Sequence, residues 1–292
     1  MASNHGSRAP RRRRAIIGLA VLIGVPAVVL ALRLVPWART GAPQHARVID
    51  WIRNGPGGHD AWRVYGGNRC AGAPMRIPSD GFIGYGWNDE IHPGRHHSGF
   101  DIFSPDGQEN VTPVFAAFDG LLTREADWRS AVIVRHPAFP ADFAPLAERP
   151  PAGGAIWTYY AHMASADGAT SFVAPAFPPG THDRPVRAGE LLGHQGTWSG
   201  DPAKPVGLHL HFSIVEGVDA GGGYANETAP ANTYDPAPFL GVVRDGDGVL
   251  VCGVWEPDGG AVGDAVRHAA SATSTAAAPG ASAPTAGSQP PP

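Results

Sequence analysis

From Met75 to about Val243 the chain is a succession of short apolar runs broken by Gly, Pro and Asp, without any long 3.6-residue period. That punctuation removes long helices as the way to bury these runs and leaves short strands. "VTPVFAAFDGLLT", "SAVIVRH", "AIWTYYAHM", "VRAGELLGHQG" and "GLHLHFSIV" each read as strands with turn residues inside or at their ends. The last is the clearest. Leu208, Leu210 and Phe212 alternate with His209, His211 and Ser213, the two-residue period of a half-buried strand. The 39 glycines and 30 prolines of the 292-residue chain fit the same picture. The expected fold is all-β, an antiparallel β-sandwich or open barrel with long loops over residues 75–243. "VVRDGDGVLVCGVW" adds a hairpin closed by Asp-Gly turn residues, expected to pack on the domain as residues 244–258. Its "DGDG" lacks the remaining ligand positions of a calcium loop.

The flanks differ in kind. Residues 1–14 carry five arginines, Arg8 and Arg11 to Arg14, and Ala15 to Leu32 follow as 18 residues without a charge. A basic cluster directly before an apolar run of that length predicts a transmembrane signal-anchor over 15–35, with residues 1–14 in the cytoplasm. The rival is a cleaved signal peptide, which would leave a secreted protein; no clean A-x-A site stands just after Leu32, and the anchor is favoured. Either way the rest of the chain is expected outside the cytoplasm. Residues 36–74 read as a tether and N-terminal extension, and 259–292, rich in Ala, Ser and Pro, as a disordered tail. Without its first fourteen residues the chain holds 17 basic against 26 acidic groups, which argues against a nucleic-acid-binding face. Cys70 and Cys252 are the only cysteines and bracket every motif; they form either one disulfide or two buried thiols. Oligomeric state is not legible.

Thirteen histidines are present, and four have suggestive neighbours. In "GRHHSGFDIF", His97 and Asp101 stand four apart across Gly99, an even separation that puts both on one side of an extended chain. His96 is excluded as the partner because its fourth successor is Phe100. His209 and His211 share a strand face for the same reason, and His162 ends a strand, with Tyr160 placed on its face. Two imidazoles and one carboxylate from separate segments are a donor set for catalytic zinc, which leaves a position open for water. Further histidines can then serve as base or stabilise an oxyanion. His92 and His194 read as structural or solvent-facing.

These residues, in this order, resemble the lysostaphin-type (LytM-like) zinc endopeptidases of bacterial cell walls. The resemblance rests on "HHSGFDI", "VFAAFDGLL", "YYAHM", "VRAGELLGHQG" and "GLHLHFSI" and spans roughly residues 80–216. It implies one Zn2+ per chain held by His97, Asp101 and His211, with His162 and His209 as the two catalytic, non-ligating histidines. It implies a metalloendopeptidase acting on cross-links or stem peptides of peptidoglycan. The alternative is a non-catalytic LytM-like module that activates other wall hydrolases; the five filled positions favour the enzyme. Two departures stand out: "TWSGDPAKPVG" before the H-x-H, and a Pro-rich insertion over 137–155.

Overall fold

The computed structural model describes residues 42–151, 153–217 and 227–253. The expected anchor over 15–35, the basic segment before it and the tail over 259–292 lie outside the described residues. Among those described, no helix is long and apolar enough to cross a membrane.

The described chain is mostly β. In chain order its strands are β1 (Arg63–Val64), β2 (Gly81–Tyr85), β3 (Glu90–His92), β4 (Arg95–His96), β5 (Phe100–Phe103), β6 (Pro113–Phe115), β7 (Gly120–Arg124) and β8 (Val132–His136). They continue as β9 (Ile156–Ala161), β10 (Thr181–Val186), β11 (Leu191–His194), β12 (His209–Val215), β13 (Thr233–Tyr234), β14 (Val242–Arg244) and β15 (Leu250–Cys252). Eleven of them form one antiparallel sheet with the main order β10-β7-β8-β9-β12-β5-β2-β15-β14. β6 and β11 pair separately, and β3 with β4 makes a small hairpin. The run "VTPVFAAFDGLLT" is therefore two strands in two sheets, β6 and β7, split at "AAFD".

The alternation in β12 sets the two faces of the sheet. Leu210, Phe212 and Ile214 are fully buried in the main core with Phe100 and Ile102 of β5 and Tyr160 of β9. The intervening residues of β12 and β5 point to the opposite face, where a second, smaller core gathers Phe82, Phe103 and Val249. That second core is covered by α1 (Ala42–Asn54), which buries Val48 and Trp51 there while the Trp51 indole N–H donates to the Ser104 carbonyl at 2.9 Å. The helix stands where the sequence reads as a tether. Its apolar stripe is narrow, so its stability comes from what Val48 and Trp51 bury against the sheet and not from a strong pattern of its own.

The 137–155 insertion contains α2 (Ala144–Glu148) and packs away from the polar face. Phe139 and Phe143 meet Phe239 of α3 (Pro236–Leu240) at ring separations of 5.6 and 4.8 Å. The β14–β15 hairpin closes as expected at its Asp-Gly residues. The Asp245 carboxylate accepts from the Asp247 and Val249 amides, which commits it to the turn. Cys70 and Cys252 are bonded, with Cα atoms 5.3 Å apart, joining the chain before β2 to β15, the strand that pairs with β2.

Candidate metal centre

Strand register brings the polar residues together. β12 lies between β5 and β9, and His211 is directly opposite Asp101 on one side and Ala161 on the other. Cross-strand partners share a face, so the Asp101 carboxylate and the His211 imidazole meet, with Oδ1 2.9 Å from Nδ1. His97 enters from just before β5. The chain there runs hard against β12: a Cβ on Gly99 would stand 2.3 Å from the Phe212 carbonyl oxygen, so only glycine permits the approach. This places His97 Nε2 3.0 Å from Asp101 Oδ1 and 3.1 Å from His211 Nδ1. Three donor atoms from two strands and one loop thus form a nearly equilateral triangle.

Two more histidines flank the triangle. His209, opposite Phe103, stacks on that ring at 5.0 Å and points Nε2 at Asp101 Oδ1, 3.4 Å away. His162 follows the last residue of β9 and takes a left-handed backbone with φ 71°. That turn brings its ring to 4.6 Å from His209 and 6.1 Å from His211. It also breaks the alternation on which the pairing with Tyr160 rested. Tyr160 is fully buried on the core face, where its oxygen accepts from the Ala117 amide; Tyr159 is the β9 tyrosine that lines the cleft.

Backbone carbonyls fix the ring orientations. His97 Nδ1–H donates to Gly86 O at 3.1 Å, His162 Nδ1–H to Trp198 O at 2.6 Å and His209 Nδ1–H to Gly207 O at 2.6 Å. Each bond commits Nδ1 as donor and leaves Nε2 facing the centre. Burial would raise the Asp101 carboxyl, but the His97 and His209 imidazoles hold it well below the usual carboxylate range. Burial opposes charge on His97, yet the Asp101 carboxylate beside it raises its pKa overall. His211 is lowered by burial, against its bond to Asp101. His162 is pushed down to about 3, by burial first and then by His209 and His211.

The donor set fits a divalent cation of zinc's type. His97, Asp101 and His211 offer ligand atoms within 4.8 Å of one another. Their 2.9–3.1 Å edges are close to the roughly 3.3 Å between ligands of a tetrahedral ion with bonds of about 2.0 Å. Two imidazole nitrogens and a carboxylate oxygen converge on one buried point, and the His97 Nδ1–H bond to a carbonyl is the outer-shell support such a ligand takes.

The centre lies in a cleft of about 740 Å³ lined by His162, His209, Tyr159, Trp128, Trp198 and the β3–β4 hairpin. Trp198 of the "TWSGDPAKPVG" departure thus borders the cleft and also holds His162, whereas no described residue of the 137–155 insertion lines it. His92 and His96 sit exposed at the rim, and His194 lies on β11, away from the cleft lining. The carbonyls of Gly86, Trp198 and Gly207 carry no sequence signal, since any residue could supply them. Tyr159 could have been found only by knowing that His162 leaves the strand geometry.

No family model and no curated protein matches the chain. Solved structures are similar at low identity. The catalytic domain of the antimicrobial peptidase lysostaphin from Staphylococcus simulans is 21% identical, with a TM-score of 0.32, over 55% of this chain and 90% of that one. The resemblance is to lysostaphin-type peptidases. Csd3 of Helicobacter pylori matches at 17% identity and TM-score 0.32, over 60% of this chain and 38% of its own. A zinc-containing peptidase from Vibrio cholerae matches at 15% and 0.31, over 59% and 39%. This chain therefore spans well under half the length of those last two proteins.

Proposed function

We propose that this chain is a zinc metalloendopeptidase that hydrolyses peptide bonds in the cross-links or stem peptides of bacterial peptidoglycan. The observation that carries the reading is the donor triangle of His97, Asp101 and His211, flanked by two histidines whose Nε2 atoms face it. The substrate class is supported by the order of the five sequence motifs and by the resemblance they create. His97, Asp101 and His211 would hold the zinc ion, which would supply Lewis-acid polarisation of a carbonyl and a bound water with a pKa of about 7.

The chain's own groups do the rest. His162 and His209 keep Nδ1 on a backbone carbonyl, so only Nε2 is available for proton transfer. One takes the proton of the attacking water at Nε2 and passes it to the leaving amine. The other, carrying a proton on both ring nitrogens and therefore cationic, donates from Nε2 to the oxyanion of the tetrahedral intermediate. The peptide would lie in the cleft that Trp128 and Trp198 help to line. The arginine cluster and apolar run over 1–35 support a membrane anchor with residues 36 onward outside the cytoplasm, and the paired cysteines suit an oxidising compartment.

Zinc titration of the purified chain tests the ligand set. One equivalent should bind to the wild type, and His97→Ala or Asp101→Ala should abolish binding. Undiminished zinc binding by either variant would overturn the assignment.

A further inference from the structure

His97 is the one member of the triangle that no strand register positions, since it lies between β4 and β5. It is held instead by the turn Gly86–Asp89. The His97 amide donates to the Asp89 carbonyl at 2.9 Å, the Asn88 amide donates to the His97 carbonyl at 2.8 Å, and the ring's Nδ1–H reaches Gly86 O. Both the backbone and the ring of His97 therefore depend on the shape of four residues.

That shape depends on one carboxylate. Asp89 Oδ2 accepts from the Gly86 amide at 2.6 Å and from Gln44 Nε2 of α1 at 2.9 Å. Its Oδ1 accepts from Arg244 Nη2 of the β14–β15 hairpin at 2.6 Å. The side chain is only 14% exposed, so these bonds replace water rather than compete with it. Gly86 is tied to the same arrangement: a Cβ there would stand 2.7 Å from Arg244 Nη2 and 2.8 Å from Leu250 Cδ1. Asn88 completes the turn in a left-handed conformation, φ 62°. A bent turn closed by a largely buried carboxylate is the device that aims the Gly86 carbonyl at His97.

We propose that Asp89 is the positioning residue for His97, clamping the turn whose carbonyl orients the imidazole, with α1 and the C-terminal hairpin as its two outer supports. The inference rests on the reading of His97 as a metal ligand for its consequence, but not for its geometry. Asp89 touches neither substrate nor metal; it acts through Gly86.

The test uses the full chain and Asp89→Asn, which keeps the size of the side chain but removes its charge and one acceptor oxygen. In metal-free protein the expected result is an about tenfold faster exchange of the His97 Nδ1–H proton with solvent, followed by 1H–15N NMR. The zinc dissociation constant, measured by chelator competition, should rise about tenfold, the low end for loss of outer-shell support. Arg244→Gln, which removes one outer support and leaves the carboxylate, should give a smaller change in both, about threefold. Unchanged proton exchange and zinc affinity in a folded Asp89→Asn chain would overturn the proposal. If Asp89→Asn does not fold, Arg244→Gln decides alone, and its failure to move either readout would overturn it. If the wild type binds no zinc while proton exchange still accelerates, the metal reading fails and the positioning role stands.

Discussion

His209 and His211 are two residues apart on one strand face, yet their surroundings give them different chemistry. His211 turns Nδ1 into the triangle at 2.9 Å from Asp101, whereas His209 spends Nδ1 on the Gly207 carbonyl and stacks on Phe103. The account predicts that His209→Ala retains one zinc per chain but loses about 10²–10⁴-fold in turnover, the range for removing a positioned acid or base. Metal content and peptide-cleavage rate measured on one preparation check both halves. Much of this was legible in the residues. An even spacing in extended chain puts His97 with Asp101 and His209 with His211, because side chains alternate across a strand. Asp89 and the three orienting carbonyls were not legible, since a bond to a backbone oxygen, whether 2, 11 or 36 residues away, leaves no pattern in sequence.

At the scale of elements, β8 carries a buried group outside the cleft. His136 is 1% exposed, gives Nδ1–H to the Asp119 carbonyl at 2.9 Å and places Nε2 2.8 Å from Thr158 Oγ1. Burial pushes its pKa down to about 4, only partly opposed by that bond and the Asp119 charge. An unfolded chain, with histidine near 6.5, binds the proton more readily, so this contribution is whole above pH 6.5 and is lost as pH falls towards 4. The loss amounts to about 3 kcal/mol across that window. Urea unfolding of metal-free wild type and His136→Gln at pH 7 and 4.5 checks it: the wild type should lose about 2–3 kcal/mol more than the variant. Equal losses would place the acid sensitivity elsewhere. Strands were readable as elements because their apolar runs are bounded by Gly, Pro and Asp. Helix α1 is not, because only Val48 and Trp51 bury fully and most of its other described positions are polar or exposed.

Across the whole molecule, the Cys70–Cys252 bond spans a sequence separation of 182 and holds the β14–β15 hairpin to the chain before β2. Such a link constrains the unfolded chain and contributes about 2–5 kcal/mol. A Cys70→Ser, Cys252→Ser double variant should lower unfolding stability by that amount in denaturant melts, and an unchanged midpoint would contradict it. The pairing was open in the sequence, where separation says nothing about proximity; the sheet order supplies it by setting β15 beside β2. The same order explains why flanks that look peripheral matter to the centre. Residues from α1 and from the hairpin both reach Asp89, whose carbonyl accepts from the His97 amide.

Digestion of purified sacculi tests the proposed zinc-dependent cleavage of peptidoglycan peptides. Zinc-loaded chain, chelator-treated chain and the His209→Ala variant are incubated with sacculi of defined cross-link chemistry, and the soluble products are identified by mass. The account predicts new peptide amino and carboxyl termini with the zinc-loaded chain and few or none with the other two. A chain that carries one zinc and releases no such products from any sacculus would contradict it.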